Sequence, residues 1–98
     1  MNTASKIALV TGATRGIGRE TVRQLAEAGV HTILAGRSRE KAVEAALDLQ
    51  SQGLPVEAIA LDFTDSASIA AAVKEVEQRH GRLDILVNCA GIQLTKGL

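Results

Sequence analysis

A continuous apolar run, KIALVT at 6–11, is followed at once by three glycines within seven residues, Gly12, Gly16 and Gly18. Glycine is poor in both strands and helices because it loses more backbone entropy than other residues. Three of them between an apolar run and a helix-patterned segment predict a tight turn that something approaches closely. The run is apolar at successive rather than alternate positions. That is the pattern of a strand buried on both faces, as in a parallel sheet.

The rest of the chain repeats this arrangement. From Gly16 the pattern becomes helical, with Ile17, Thr21, Val22, Leu25 and Ala28 on one face and Arg19, Glu20, Arg23 and Glu27 on the other. Gly29 is placed to end that helix as a C′ glycine. Residues 31–35, HTILA, read as a second strand. Ser38 is a plausible N-cap for a second helix that runs to about Gln52 and ends at Gly53. Residues 56–61, VEAIAL, form a third strand. Asp65 can cap a third helix, in which Ile69, Ala72, Val73 and Val76 recur at helical spacing, and Gly81 closes it. Residues 84–88, DILVN, are a fourth strand. The order β-α-β-α-β-α-β with short loops implies a three-layer α/β fold around a parallel sheet with right-handed crossovers.

Composition narrows the function classes. The 98 residues bound the chain to one small domain, and 46 % of them are hydrophobic, mostly aliphatic, with one Phe and no Trp or Tyr. A nucleic-acid binder needs stacking aromatics or a basic surface. This chain carries 11 basic and 11 acidic side chains, which balance. The single cysteine, Cys89, cannot form an internal disulfide and fits a reducing compartment. It reads as a small buried hydrophobe. No apolar run is long enough to span a bilayer, and MNTASK leads straight into a strand pattern without a signal-like segment. The expected location is the cytoplasm, with no membrane or nucleic-acid partner. His31 and His80 stand without partners at ligand or catalytic spacing and read as surface or helix-end histidines, so no metal site is expected.

The glycines follow a strand, open a helix and lie inside a βαβ unit. In dinucleotide-binding folds such glycines permit the turn, admit the pyrophosphate and let helix and strand pack closely, while helix N-terminal amides hold the phosphates. The spacing here is G-x-x-x-G-x-G, preceded by Thr11. TGATRGIG at 11–18 resembles the cofactor signature of the short-chain dehydrogenase/reductase family. LDFTD at 61–65 resembles that family's segment after the third strand, and LDILVNCAG at 83–91 resembles its fourth strand and N-N-A-G motif, with Cys89 in place of the second Asn. The resemblance covers about Lys6 to Ile92.

It implies a Rossmann-like, partial doubly wound sheet of order 3-2-1-4, with residues 1–98 forming the N-terminal part of a cofactor-binding domain. It also implies roles for individual residues. Gly12, Thr14, Arg15, Gly16, Ile17 and Gly18 would line the phosphates. Asp62 and the backbone of Phe63 would meet the adenine, and Asn88, Ala90 and Gly91 would run along the ribose toward the nicotinamide. NAD binders place an acid after the second strand to hold the ribose 2′-hydroxyl. Here that position is Gly36, followed by Arg37. Glycine leaves room and arginine pairs with phosphate; with Arg15 on the other side, the pattern favours NADP(H) over NAD(H).

Family members do their chemistry with a Ser and a Y-x-x-x-K motif beyond the fourth strand. This chain contains no tyrosine, and IQLTKGL at 92–98 replaces none of these groups. No catalytic residue is therefore assigned. Two readings stand. One is the NADP(H)-binding portion of an oxidoreductase that moves hydride between a nicotinamide cofactor and a carbonyl or alcohol. The other is a non-catalytic nucleotide-binding module or inactive truncated product. In either case the fourth strand would be an apolar edge under an uncovered sheet face, which predicts self-association or a partner chain there.

Overall fold

In the computed structural model, residues 6–89 are described. Their elements follow the order β1 (Ile7–Thr11), α1 (Gly16–Glu27), β2 (His31–Gly36), α2 (Arg39–Gln50), β3 (Val56–Ala60), α3 (Ser66–His80) and β4 (Ile85–Asn88). The four strands form one sheet of order β3-β2-β1-β4, and every pairing is parallel. The chain steps outward from β1 to β3 and then crosses back to β4. This is the doubly wound arrangement, with its switch point between β1 and β4.

The strand alternation sorts side chains between two layers. Val10, Leu34 and Val56 pack against Val22 and Ala26 of α1 and Ala42, Ala45, Ala46 and Leu49 of α2. Ile7, Leu9, Ile33, Ala35 and Ile59 face the other way, toward Ala72 and Val76 of α3. All five residues of β1 are buried because helices cover both of its faces. Burial of each large side chain, such as Ile33 or Leu34, contributes about 1.5–3 kcal/mol.

The punctuation expected from sequence is present. Ser38 Oγ accepts from the Lys41 N–H, and Asp65 Oδ1 from the Ala67 N–H. Gly29 and Gly81 follow α1 and α3 at φ of +92° and +74°, the left-handed region that glycine enters freely. Asp84 fastens β4 to β1 from both directions. Its Oδ2 accepts from the Ile7 N–H at 2.8 Å, and its own N–H donates to the Ile7 carbonyl at 2.9 Å.

Two faces differ from expectation. The buried stripe of α1 is Gly18, Val22 and Ala26, while Ile17 is 59 % exposed and Ala28 is exposed. Gly18 lies so close to the turn that the stripe runs through it, which rotates Ile17 out to solvent. On α3 only Ala72 is fully buried, and Val73 is 54 % exposed. Val73 faces the part of the sheet where β4 lies bare. Leu86 of β4, in register with Leu9 and so on the α3 side, is 62 % exposed. On the other side Val87 packs against the core of α1 and α2. The single-helix layer therefore leaves an apolar groove of about 400 Å³, lined by Leu9, Leu61, Phe63, Val73, Leu83 and Leu86 among others.

Candidate functional site

The C-terminal ends of all four strands converge on one edge of the sheet, where open α/β folds carry their ligands. The glycine loop after β1 is tied to the end of β2 by the Ala13 N–H donating to the Ala35 carbonyl at 3.0 Å. The three glycines have different reasons to be there. Gly12 and Gly16 adopt φ of +60° and +65°. Gly18 has an ordinary helical backbone, but a Cβ on it would stand 2.3 Å from the Gly12 carbonyl oxygen and 2.9 Å from the Ala13 Cα. The first two make the turn, and the third lets α1 sit against it.

Both other helices have a side-chain N-cap, whereas Arg15, which precedes α1, gives none, and the first turn of α1 has no acidic residue. The first amides of α1 therefore keep their hydrogen-bonding capacity, and no carboxylate in the helix's own first turn offsets the positive end of its dipole. That end of a helix accommodates an anion.

Beside the loop lies a polar pocket of about 580 Å³ between the turn and α2. Thr14, Arg15, Arg19, Arg37, Ser38 and Lys41 line it, together with Glu44 and Asp48. Asp48 forms an ion pair with Arg19. Arg15, Arg37 and Lys41 bring three further cations to one concavity. The sequence pattern had singled out Arg15 and Arg37. Lys41 escaped it, because it reaches the pocket only where α2 is laid beside the turn. Gly36 is buried, and its expected free room is taken: a Cβ there would approach Thr14 Cγ2 to 2.5 Å. Glycine at 36 thus seats Thr14 against β2.

Past β3, Asp62 Oδ1 accepts from the Thr64 hydroxyl at 2.7 Å and from the Thr64 N–H at 2.9 Å. These bonds, with the Arg37 charge adding to them, hold its carboxyl below the usual aspartate range. The Asp62 N–H itself donates to Ser68 Oγ. Phe63 is half exposed and lines the apolar groove. At the switch point the Thr11 hydroxyl donates to Asn88 Oδ1 at 2.8 Å, joining the ends of β1 and β4. Cys89 is partly buried and packs against the core. One edge of the sheet thus brings together Gly12, Thr14, Arg15, Gly16, Ile17, Gly18, Arg37, Asp62, Phe63 and Asn88. Ala90 and Gly91 lie outside the described residues.

The reading of His31 and His80 as partnerless is corrected. Both Nε2 atoms meet Glu57 Oε2, at 2.5 Å and 2.6 Å, and the two rings are 5.0 Å apart. The three residues belong to different elements, so no local spacing in the sequence announced them.

Residues 6–98 match the family described as short chain dehydrogenase. The chain is 44 % identical over 90 residues to the 3-oxoacyl-[acyl-carrier-protein] reductase FabG of Staphylococcus aureus, which covers 90 % of this chain and 36 % of that protein. Among solved structures, menthone neomenthol reductase from Mentha piperita superposes with a TM-score of 0.83 at 41 % identity, over 88 % of this chain and 31 % of that one. Actinorhodin polyketide ketoreductase, solved with NADPH, superposes with a TM-score of 0.80 at 36 % identity, over 90 % of this chain and 34 % of that one. Two further similar structures, a metagenomic short-chain oxidoreductase and the L-sorbose reductase of Gluconobacter frateurii, are complexes with NADP and NADPH. The chain spans about a third of the length of these relatives. No helix among the described residues is long and apolar enough to cross a membrane. The match over residues 6–98, the strand order and the glycine turn agree: this chain belongs to the short-chain dehydrogenase/reductase family, in its N-terminal cofactor-binding region.

Proposed function

We propose that residues 1–98 are the NADP(H)-binding part of a short-chain dehydrogenase/reductase, an oxidoreductase acting between a carbonyl and its alcohol. The observation that carries the reading is the basic pocket of Arg15, Arg37 and Lys41 beside an uncapped helix start. The turn at Gly12 and Gly16 and the first amides of α1 hold the pyrophosphate. Arg37 and Arg15 pair with the 2′-phosphate, and Lys41 adds a point charge. Asp62 and the backbone at Phe63 take the adenine, while Asn88 and the following Ala90 and Gly91 direct the other half toward the switch point. The cofactor, when bound, supplies or accepts a hydride; the chain's own residues orient it and neutralise its phosphates.

Titration with NADPH and NADH tests this reading. NADPH should bind more tightly, and Arg37→Asp should cost about 1.5–3 kcal/mol for NADPH with little change for NADH. Tighter binding of NADH by the unaltered chain overturns it.

A second reading, a nucleotide-binding module that performs no reaction alone, is favoured by the absence of tyrosine. Proton transfer by a positioned side chain is worth roughly 10²–10⁴-fold, and the chain lacks the family's group for it. Purified chain should oxidise no NADPH with ketones above background; turnover that persists through further purification removes this second reading. The proposal includes cover for the apolar groove over β4, by a second copy or a partner chain. Sedimentation that shows only monomer at every concentration counts against cover by a second copy.

A further inference from the structure

At the edge of the sheet opposite the glycine loop, three side chains from three elements converge. His31 opens β2, Glu57 is the second residue of β3, and His80 ends α3. The parallel register pairs Ile33 with Glu57, so His31, Ile33 and Glu57 project from the same face, the one α3 covers. The last turn of α3 then brings His80 onto this corner.

We propose that His31, Glu57 and His80 bind one divalent transition-metal ion of the zinc class. Each residue offers one ligand atom, and the three atoms lie within 4.8 Å of one another. Both imidazole Nε2 atoms address the same carboxylate oxygen, Oε2. Without a metal, each ring must give a proton to that one oxygen. A cation takes the place of both shared protons: each neutral ring moves its proton from Nε2 to Nδ1 through solvent, and each Nε2 then presents its lone pair to the metal. Tetrahedral coordination with bonds of about 2.0–2.1 Å sets the ligand atoms about 3.3 Å apart, which needs side-chain movements of under about 1 Å.

The other carboxylate oxygen is already occupied. Glu57 Oε1 accepts from Arg79 at 2.5 Å, and Arg79 also pairs with Glu75. This outer partner fixes the plane of the carboxylate and leaves Oε2 aimed at the histidines, as outer hydrogen bonds do for metal ligands. Arg79 brings positive charge near the site, and Glu75 together with Glu57 balances it. The side chains of His80, Glu57 and His31 are 16 %, 20 % and 35 % exposed. A cation could therefore enter, and water could complete its coordination. Two imidazoles and one carboxylate suit zinc, whereas magnesium and calcium favour all-oxygen sets. Such an ion would tie the starts of β2 and β3 to the end of α3, at the opposite end of the strands from the nucleotide edge.

The experiment is calorimetric titration of the EDTA-stripped full chain with zinc chloride, paired with imidazole NMR of the unaltered protein. Saturable uptake of one zinc per chain is expected, with the His31 and His80 ring signals shifting together. His31→Gln and His80→Gln should each weaken uptake by about tenfold or more. Cys89→Ser should leave it unchanged. Three results overturn the site: no saturable uptake, uptake that survives in the double histidine variant, or zinc binding without movement of the two ring signals. The NMR arm reads the unaltered chain, so it decides the matter even if a variant fails to fold.

Discussion

Gly18→Ala should be the more damaging of two superficially equal changes in the glycine turn, the other being Gly16→Ala. At Gly18 the new methyl would stand 2.3 Å from the Gly12 oxygen, 2.9 Å from the Ala13 Cα and 3.0 Å from the Gly12 carbonyl carbon. All three are backbone atoms, so no side-chain rotation relieves the contact. Overpacking of this kind costs about 1–3 kcal/mol, and a rigid neighbour places it near the upper end. Alanine restores about 1 kcal/mol of helix propensity. The net loss is about 2 kcal/mol, and α1 must back away from the loop. At Gly16 a Cβ meets nothing within 4 Å, but φ is +65°. The left-handed backbone costs a non-glycine residue roughly 1–2 kcal/mol, part of which is recovered because alanine narrows the unfolded ensemble. Urea unfolding of both variants, compared at unchanged m-value, reads the stability difference. NADPH titration should show Gly18→Ala weakened by about tenfold or more, equivalent to ~1.4 kcal/mol, since the amides of α1 and the loop no longer face one point. An unchanged midpoint together with unchanged NADPH affinity for Gly18→Ala refutes the argument that close packing is why glycine stands there.

Gly36→Asp should displace Thr14, which its Cβ would approach to 2.5 Å, and should set a carboxylate among Arg15, Arg37 and Lys41. Measured by competitive titration, NADPH should lose affinity relative to NADH; an unaltered ratio contradicts the role given to the basic pocket. Asp84 has its carboxyl held low by the Ile7 N–H and by Arg82. A depressed folded pKa contributes stability above the unfolded value of about 3.9, and that contribution disappears as pH falls through the folded value. Unfolding midpoints of the unaltered chain and Asp84→Asn should therefore differ at neutral pH and converge in acid; a difference that persists unchanged in strong acid rejects the assignment.

The sequence by itself determined the elements, their order and their ends. That information is local: apolar runs mark strands, helical spacing marks α1 to α3, and Ser38, Asp65, Gly29 and Gly81 act through hydrogen bonds and backbone angles within a turn of their own positions. The strand order β3-β2-β1-β4 was implied by the family resemblance of the glycine turn and the later motifs; crossover handedness alone fixes the side each helix takes, not the order of the strands. Which face of α1 is buried was not local. Ile17 has the right spacing for the core, yet the contact of Gly18 with the turn sets the rotation of the helix and exposes Ile17. The same distinction separates the two candidate sites. Gly12, Gly16 and Gly18 lie within seven residues of one another, and Arg37 directly follows β2, so each was legible from its own local pattern. Lys41 joined them only once α2 was laid beside the turn. His31, Glu57 and His80 are separated by 26 and 23 residues, and only strand register and the reach of α3 bring them to one oxygen. Convergence of that kind is a property of packing, where residues distant in sequence become neighbours because two sheet strands and a helix end at the same edge.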